Sequence, residues 1–111
     1  MIEARFNHNE SGAIVSFEIT GHAGYADMGE DIVCAAVSVL AIETVNSLDK
    51  MANHQMIVEQ ADKEGGYLYA EVQTELTDQQ DSVTQILLKH LYLSLEDVSE
   101  TYPDYVKLIN H

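Results

Sequence analysis

Apolar and polar residues alternate at period two in "IEARFNH" (2–8) and again in "AIVSFEIT" (13–20). The turn residues "NESG" lie between them, so the first twenty positions predict a β-hairpin. A glycine-rich loop, Gly21 to Gly29, follows. From Glu30 to about Lys50 the pattern becomes helical, with Asp27 or Gly29 as the expected cap. The first three turns of this helix are apolar nearly all round, as in a helix buried on more than one side, by its own sheet and by a second subunit. A second strand pair is predicted at "HQMIVEQ" (54–60) and "YLYAEVQT" (67–74), joined by the turn-rich "ADKEGG". Asp78 opens a second helix that runs to about Glu100, with Val83, Ile86, Leu87, Leu91, Leu95 and Val98 on its apolar face. Pro103 ends it, and "DYVKLINH" reads as a short last strand. The order ββαββα, with that C-terminal strand, predicts an α+β fold: an antiparallel sheet with two main helices packed on it.

The chain has 111 residues, which suits one domain over 1–111 with a single core. Charge changes the picture more than length does. With 19 Asp+Glu against 5 Lys+Arg, the formal net charge is −14. Such a field repels phosphate backbones, which argues against nucleic acid and anionic membrane surfaces as partners. It favours the approach of a basic partner. The start, "MIEARFNHNE", lacks the layout of a signal peptide, and the apolar run Ile32 to Ile42 is about half of what a membrane span needs. A single cysteine cannot form an internal disulfide. The expectation is a soluble, intracellular protein.

That cysteine, Cys34, falls within the first two turns of the first helix, where unpaired N–H groups and the macrodipole favour a thiolate. Glu30 and Asp31 oppose this with negative charge. The surroundings "IVCAAV" equally suit a small buried hydrophobe, and spacing leaves both readings open. His22 stands twelve positions earlier, between Gly21 and Gly24. A loop leaving the second strand and re-entering at the helix start could set its imidazole against the sulfur, the pairing that cysteine hydrolases use. Asp31, Cys34 and Ser38 share one helix face. Asp31 can orient His22 or cap the helix. Ser38 can sit near the sulfur or bond back to the preceding turn, the commoner habit of serine. The five histidines show no ligand spacing, so no metal site and no cofactor is implied. Tyr67 and Tyr69 share a strand face, which suggests packing.

The stretch "GHAGYADMGEDIVCAAVS" resembles the signature of the ribosomal-processing cysteine protease family, Prp. The match consists of Gly-His-Ala-Gly followed by a Gly-x-Asp-x-Val-Cys-Ala-Ala-x-Ser block. The resemblance implies a cytoplasmic, homodimeric cysteine endopeptidase that removes an N-terminal extension from a large-subunit ribosomal protein, cutting after paired phenylalanines. It implies Cys34 as nucleophile, His22 as general base, and Gly21 as hinge of a loop that rearranges when substrate arrives. Asp31 is a candidate third member, and Tyr25 and Met28 are candidates for the phenylalanine pocket. Backbone N–H groups at the helix start, that of Cys34 among them, are expected oxyanion donors. The rival reading is a non-catalytic, ribosome-associated binding module with a buried structural cysteine. A thiol redox sensor is a third reading, and it lacks a resolving cysteine.

Overall fold

The computed structural model describes residues 1–27, 31–61 and 66–111. The two alternating segments form β1 (Ile2–His8) and β2 (Ile14–Thr20). They are followed by α1 (Ile32–Ala52), β3 (Ile57–Gln60), β4 (Tyr67–Glu71), α2 (Asp78–Thr101) and β5 (Val106–Asn110). The strands make one sheet in the order β3-β4-β2-β1-β5. Its three pairings among β1 to β4 are antiparallel, as expected. β5 adds itself parallel to β1, because α2 carries the chain back across the sheet before that strand begins. The sheet is therefore mixed.

Partners in register share a face, and one face is apolar. Ala4, Phe6, Phe17, Ile19, Leu68 and Ala70 are buried there, beneath Val33, Val37, Ala41 and Leu48 of α1 and Leu88, Leu91 and Leu95 of α2. A bulge keeps β2 in phase with this core. Asn7 pairs with Ser16 but His8 pairs with Ile14, so Val15 is an extra residue and Ile14 and Phe17 can both turn inward. By length and composition α1 could cross a membrane; here its inward positions are core.

The opposite face is polar. Arg5 bonds Glu3 at 2.6 Å and lies 3.8 Å from Glu18. Tyr67 and Tyr69, expected to pack, stand half-exposed on this side, and the Tyr69 hydroxyl donates to Glu71 at 2.6 Å.

α2 starts from a capping box in which Thr77 and Gln80 satisfy each other's backbone N–H groups. The Gln80 amide also reaches the carbonyls of Ala52 and Asn53 at the end of α1. There Asn53 takes a left-handed conformation, φ 49°, and ends the helix. His54, expected to begin a strand, is instead a clamp only 2% exposed. Its Nε2 accepts the Gln73 N–H at 3.0 Å, which leaves the proton on Nδ1 to donate to the Thr84 hydroxyl at 2.9 Å. β3 starts only at Ile57.

Burial holds the His54 imidazole below its ordinary pKa, so the folded chain favours the neutral ring. The unfolded chain then binds more protons once pH falls through about 6.5, and stability should decline below that value. Urea unfolding between pH 5 and 8 checks this. His54→Ala leaves the Thr84 hydroxyl and the Gln73 N–H without partners. It should cost roughly 2–4 kcal/mol and flatten the pH dependence.

Candidate active site

α1 begins at a carboxylate. Asp31 Oδ1 accepts the N–H groups of Val33 at 3.0 Å and Cys34 at 2.9 Å, while Oδ2 accepts that of Tyr25 at 3.1 Å. The N-cap is thus Asp31 and not Asp27. The other expected cap, Gly29, lies outside the described residues, as do Glu30 and the candidate pocket residue Met28. These bonds, the Cys34 N–H first among them, hold the Asp31 carboxyl below the usual carboxylate range. One side chain both starts the helix and ties down the glycine loop.

Cys34 is half-buried, and its Sγ accepts the Ala23 N–H at 3.2 Å. Burial pushes the thiol up from its ordinary range. The Ala23 N–H pulls it down, and Asp31, accepting a hydrogen bond from the thiol, pushes it up again. The pull of the helix N-terminus toward a thiolate is thus outweighed here, by burial first and by Asp31 after it. Asp31 occupies the first-turn donors and opposes the macrodipole with a full negative charge. For the same reason the Cys34 N–H is unavailable as an oxyanion donor in this state.

Gly21 stands at φ +90°, and a Cβ there would run into the Met1 carbonyl oxygen. Its N–H donates to Gly66 at 2.8 Å, and the Met1 amino group donates to the His22 carbonyl at 2.6 Å. The base of the loop is thereby fixed at a residue that only glycine fills without strain. The His22 ring is exposed and lies over Gly66: a Cβ added at Gly66 would come 2.7 Å from its Nε2. The hydrogen-bond donor to the sulfur is Ala23, not His22.

A cavity of about 740 Å³ opens between α1 and the β3–β4 hairpin. Among the described residues it is lined by Cys34, Ser38 and Ile42 from the helix and by Gln60, Tyr67 and Leu68 from the hairpin, with Gly21, His22 and Asp31 at its end. Ser38 faces this space, and the back-bond expected of it is made instead by Thr44, to Leu40. Tyr25 is absent from that lining. Its ring meets Tyr102 and Tyr105 edge-on, with centroids 5.9 and 5.2 Å away, and so anchors the loop to the α2–β5 connection. Gln60, Gly66, Tyr67 and Leu68 are site residues that the periodicity does not reveal. Only the paired glycines of "KEGG" mark that hairpin, and they read as a turn.

A lone thiol at a helix start, sharing a cavity with a loop histidine, offers the pair of groups a cysteine hydrolase needs. The family model described as cysteine protease Prp matches residues 1–107, and the chain belongs to that family. It is a cysteine protease. The ribosomal processing cysteine protease Prp of Bacillus subtilis (strain 168) is 32% identical over 108 residues, which cover 97% of this chain and 96% of that one. A protein of Streptococcus mutans, SMU.848, has a crystal structure that matches with TM-score 0.84 and 34% identity, over 99% of this chain and 93% of the other. The fold is also that of the Staphylococcus aureus Prp protease crystallised with a covalently linked product peptide. That structure has TM-score 0.89 and 24% identity, with both chains fully covered.

Alkylation of Cys34 by iodoacetamide, followed against pH in the free protein, should reach half its plateau rate above the ordinary thiol value of about 8.5. Asp31→Asn keeps the capping oxygen and removes the charge, so its midpoint should move to lower pH. An unmoved midpoint in a folded variant would show that Asp31 does not restrain the thiol.

Proposed function

We propose that this chain is an endopeptidase that removes the N-terminal extension of a large-subunit ribosomal protein, cutting after paired phenylalanines, with Cys34 as nucleophile and His22 as general base. The observation that carries the reading is the shared cavity: the thiol and the imidazole open into one space in a chain of the cysteine protease family. The curated relative from Bacillus subtilis is itself a ribosomal processing protease.

For proton transfer the ring must leave Gly66 and come within hydrogen-bond reach of Sγ. Turning about Gly21, with release of the bond from Met1 to the His22 carbonyl, provides that movement, since glycine tolerates a wide range of dihedrals. His22 then takes the thiol proton, and the thiolate attacks the scissile carbonyl carbon. The imidazolium returns the proton to the departing amine, leaving a thioester that water hydrolyses. The Ala23 N–H aimed at Sγ stabilises the negative sulfur before attack. Asp31 acts as the cap and loop anchor, and Ser38 lines the cleft one turn beyond the thiol.

A ribosomal protein is basic because it binds phosphate, and a net charge of −14 speeds its encounter with this chain. Ile32 and Val39, 54% and 60% exposed on α1, support a homodimer that covers this stripe. A ribosomal substrate of this kind supports a cytoplasmic location.

Incubation with the extended ribosomal protein, read by intact mass, tests the assignment. The unaltered chain should release one N-terminal peptide. Cys34→Ala should release none while staying folded, and His22→Ala should lose roughly 10²–10⁴ in kcat. Normal turnover by Cys34→Ala would end the reading.

A further inference from the structure

β3 is the outer strand on its side of the sheet. It pairs with β4 as Ile57↔Glu71, Val58↔Ala70, Glu59↔Tyr69 and Gln60↔Leu68, and just beyond it the Ala61 N–H donates to the Tyr67 carbonyl at 3.2 Å. Bonded and non-bonded pairs alternate along an antiparallel ladder. Since Ala61 and Tyr67 are bonded, Glu59 and Ile57 are the residues bonded to β4. Val58 and Gln60 turn their N–H and C=O groups outward, to the open edge.

Those two residues also point their side chains to the face of Leu68 and Ala70, the face on which α1 lies. Gln60 lines the Cys34 cavity. A row of unpaired backbone donors and acceptors, spaced about 6.8 Å apart, thus runs along the rim of the cleft that holds the thiol. Edge strands are ordinarily guarded by charge, proline, bulges or a covering element. β3 carries one charge, Glu59, and leaves Ile57 and Val58 44% and 38% exposed. Among the described residues, no further strand pairs with this edge.

We propose that the substrate polypeptide binds as an added strand on this edge, pairing with the backbone of Val58 and Gln60 and sending alternate side chains into the cleft between α1 and the β3–β4 hairpin. The inference rests on the protease reading above and adds how the scissile segment is held. Main-chain pairing fixes the peptide extended and in register, as a protease needs before attack, while the pockets on one face select side chains. The cleft supplies apolar walls for that purpose at Ala41, Ile42 and Leu68.

The test uses a synthetic peptide spanning the processing site of the ribosomal protein, as the parent and as a series N-methylated at one backbone amide at a time. With the unaltered enzyme, KM should rise about three- to tenfold at alternate residues, the effect of losing single backbone hydrogen bonds. A loss without a period of two overturns the proposal. On the enzyme, Val58→Pro and Gln60→Pro each delete one outward N–H and spare the bonds to β4. Each should raise KM by a similar factor with kcat within about twofold. Should either variant fail to fold, the methylated series decides alone. A folded Val58→Pro that dissociates a dimer, by light scattering, yet keeps KM would assign the edge to a second copy and overturn the proposal. If the parent peptide is not cut at all, the protease reading has failed and takes this one with it. A cut parent with a flat series and neutral proline variants sinks the strand pairing only.

Discussion

Two oxygens of Asp31 receive three backbone N–H groups from two separate segments, and the site depends on that convergence. The bonds from Val33 and Cys34 begin α1 at a defined residue and so set where the sulfur points. The bond from Tyr25 closes the glycine loop against the same helix end and brings Ala23 over the sulfur. An uncapped helix would present its first N–H groups to the cavity as unsatisfied donors. The carboxylate that builds the arrangement also opposes its chemistry, because a fixed negative charge beside a thiol disfavours the thiolate. Burial first, and that charge after it, push the thiol up from its ordinary range. One group thus orders the site and adds its charge to the push that burial already gives the thiol.

The second wall of the cleft is built elsewhere. β3 and β4 follow α1 in the chain and return to flank β2, so Gln60 and Leu68 face the helix face that carries Cys34 and Ser38. The histidine belongs to neither wall. It rides on a segment held at Gly21 by a bond to Gly66 and at its own carbonyl by a bond from the first residue, and its ring rests on the hairpin. Thiol and imidazole are therefore supported by different parts of the fold, one by a capped helix and one by a segment that begins at Gly21.

Much of this was legible in the chain itself. Period two marked the first hairpin, the turn residues of "ADKEGG" the second, period 3.6 both helices, and Pro103 separated the last strand from α2. Legibility failed where a choice rests on backbone geometry or on pairing. Asp27, Gly29 and Asp31 all suit a cap, and only the path of the loop selects Asp31. His54 heads the strand candidate "HQMIVEQ", yet its ring is drawn inward by Thr84 and Gln73, partners 30 and 19 residues away. Tyr67 and Tyr69 follow the strand period faithfully. The period does not say which face meets the helices, and theirs is the solvent face. The resemblance pointed to Cys34 and His22, and the structure places both on one cavity, whereas Tyr25 is turned toward Tyr102 and Tyr105. The hairpin wall had no signature, since it follows from strand order, which is non-local.

The clamp at His54 has a mechanical reading as well as an energetic one. α1 is a rod whose amino end bears the sulfur and whose carboxyl end is gripped by His54, Thr84 and Gln80. Twenty residues of helix make a lever arm of about 30 Å, so a tilt of about 3° at the gripped end swings the far end by about 1.5 Å. Displacements of that size are enough to spoil alignment for bond-making. The distal grip works together with the packing of Val33 and Val37 beside the thiol, which holds the near end of the same rod.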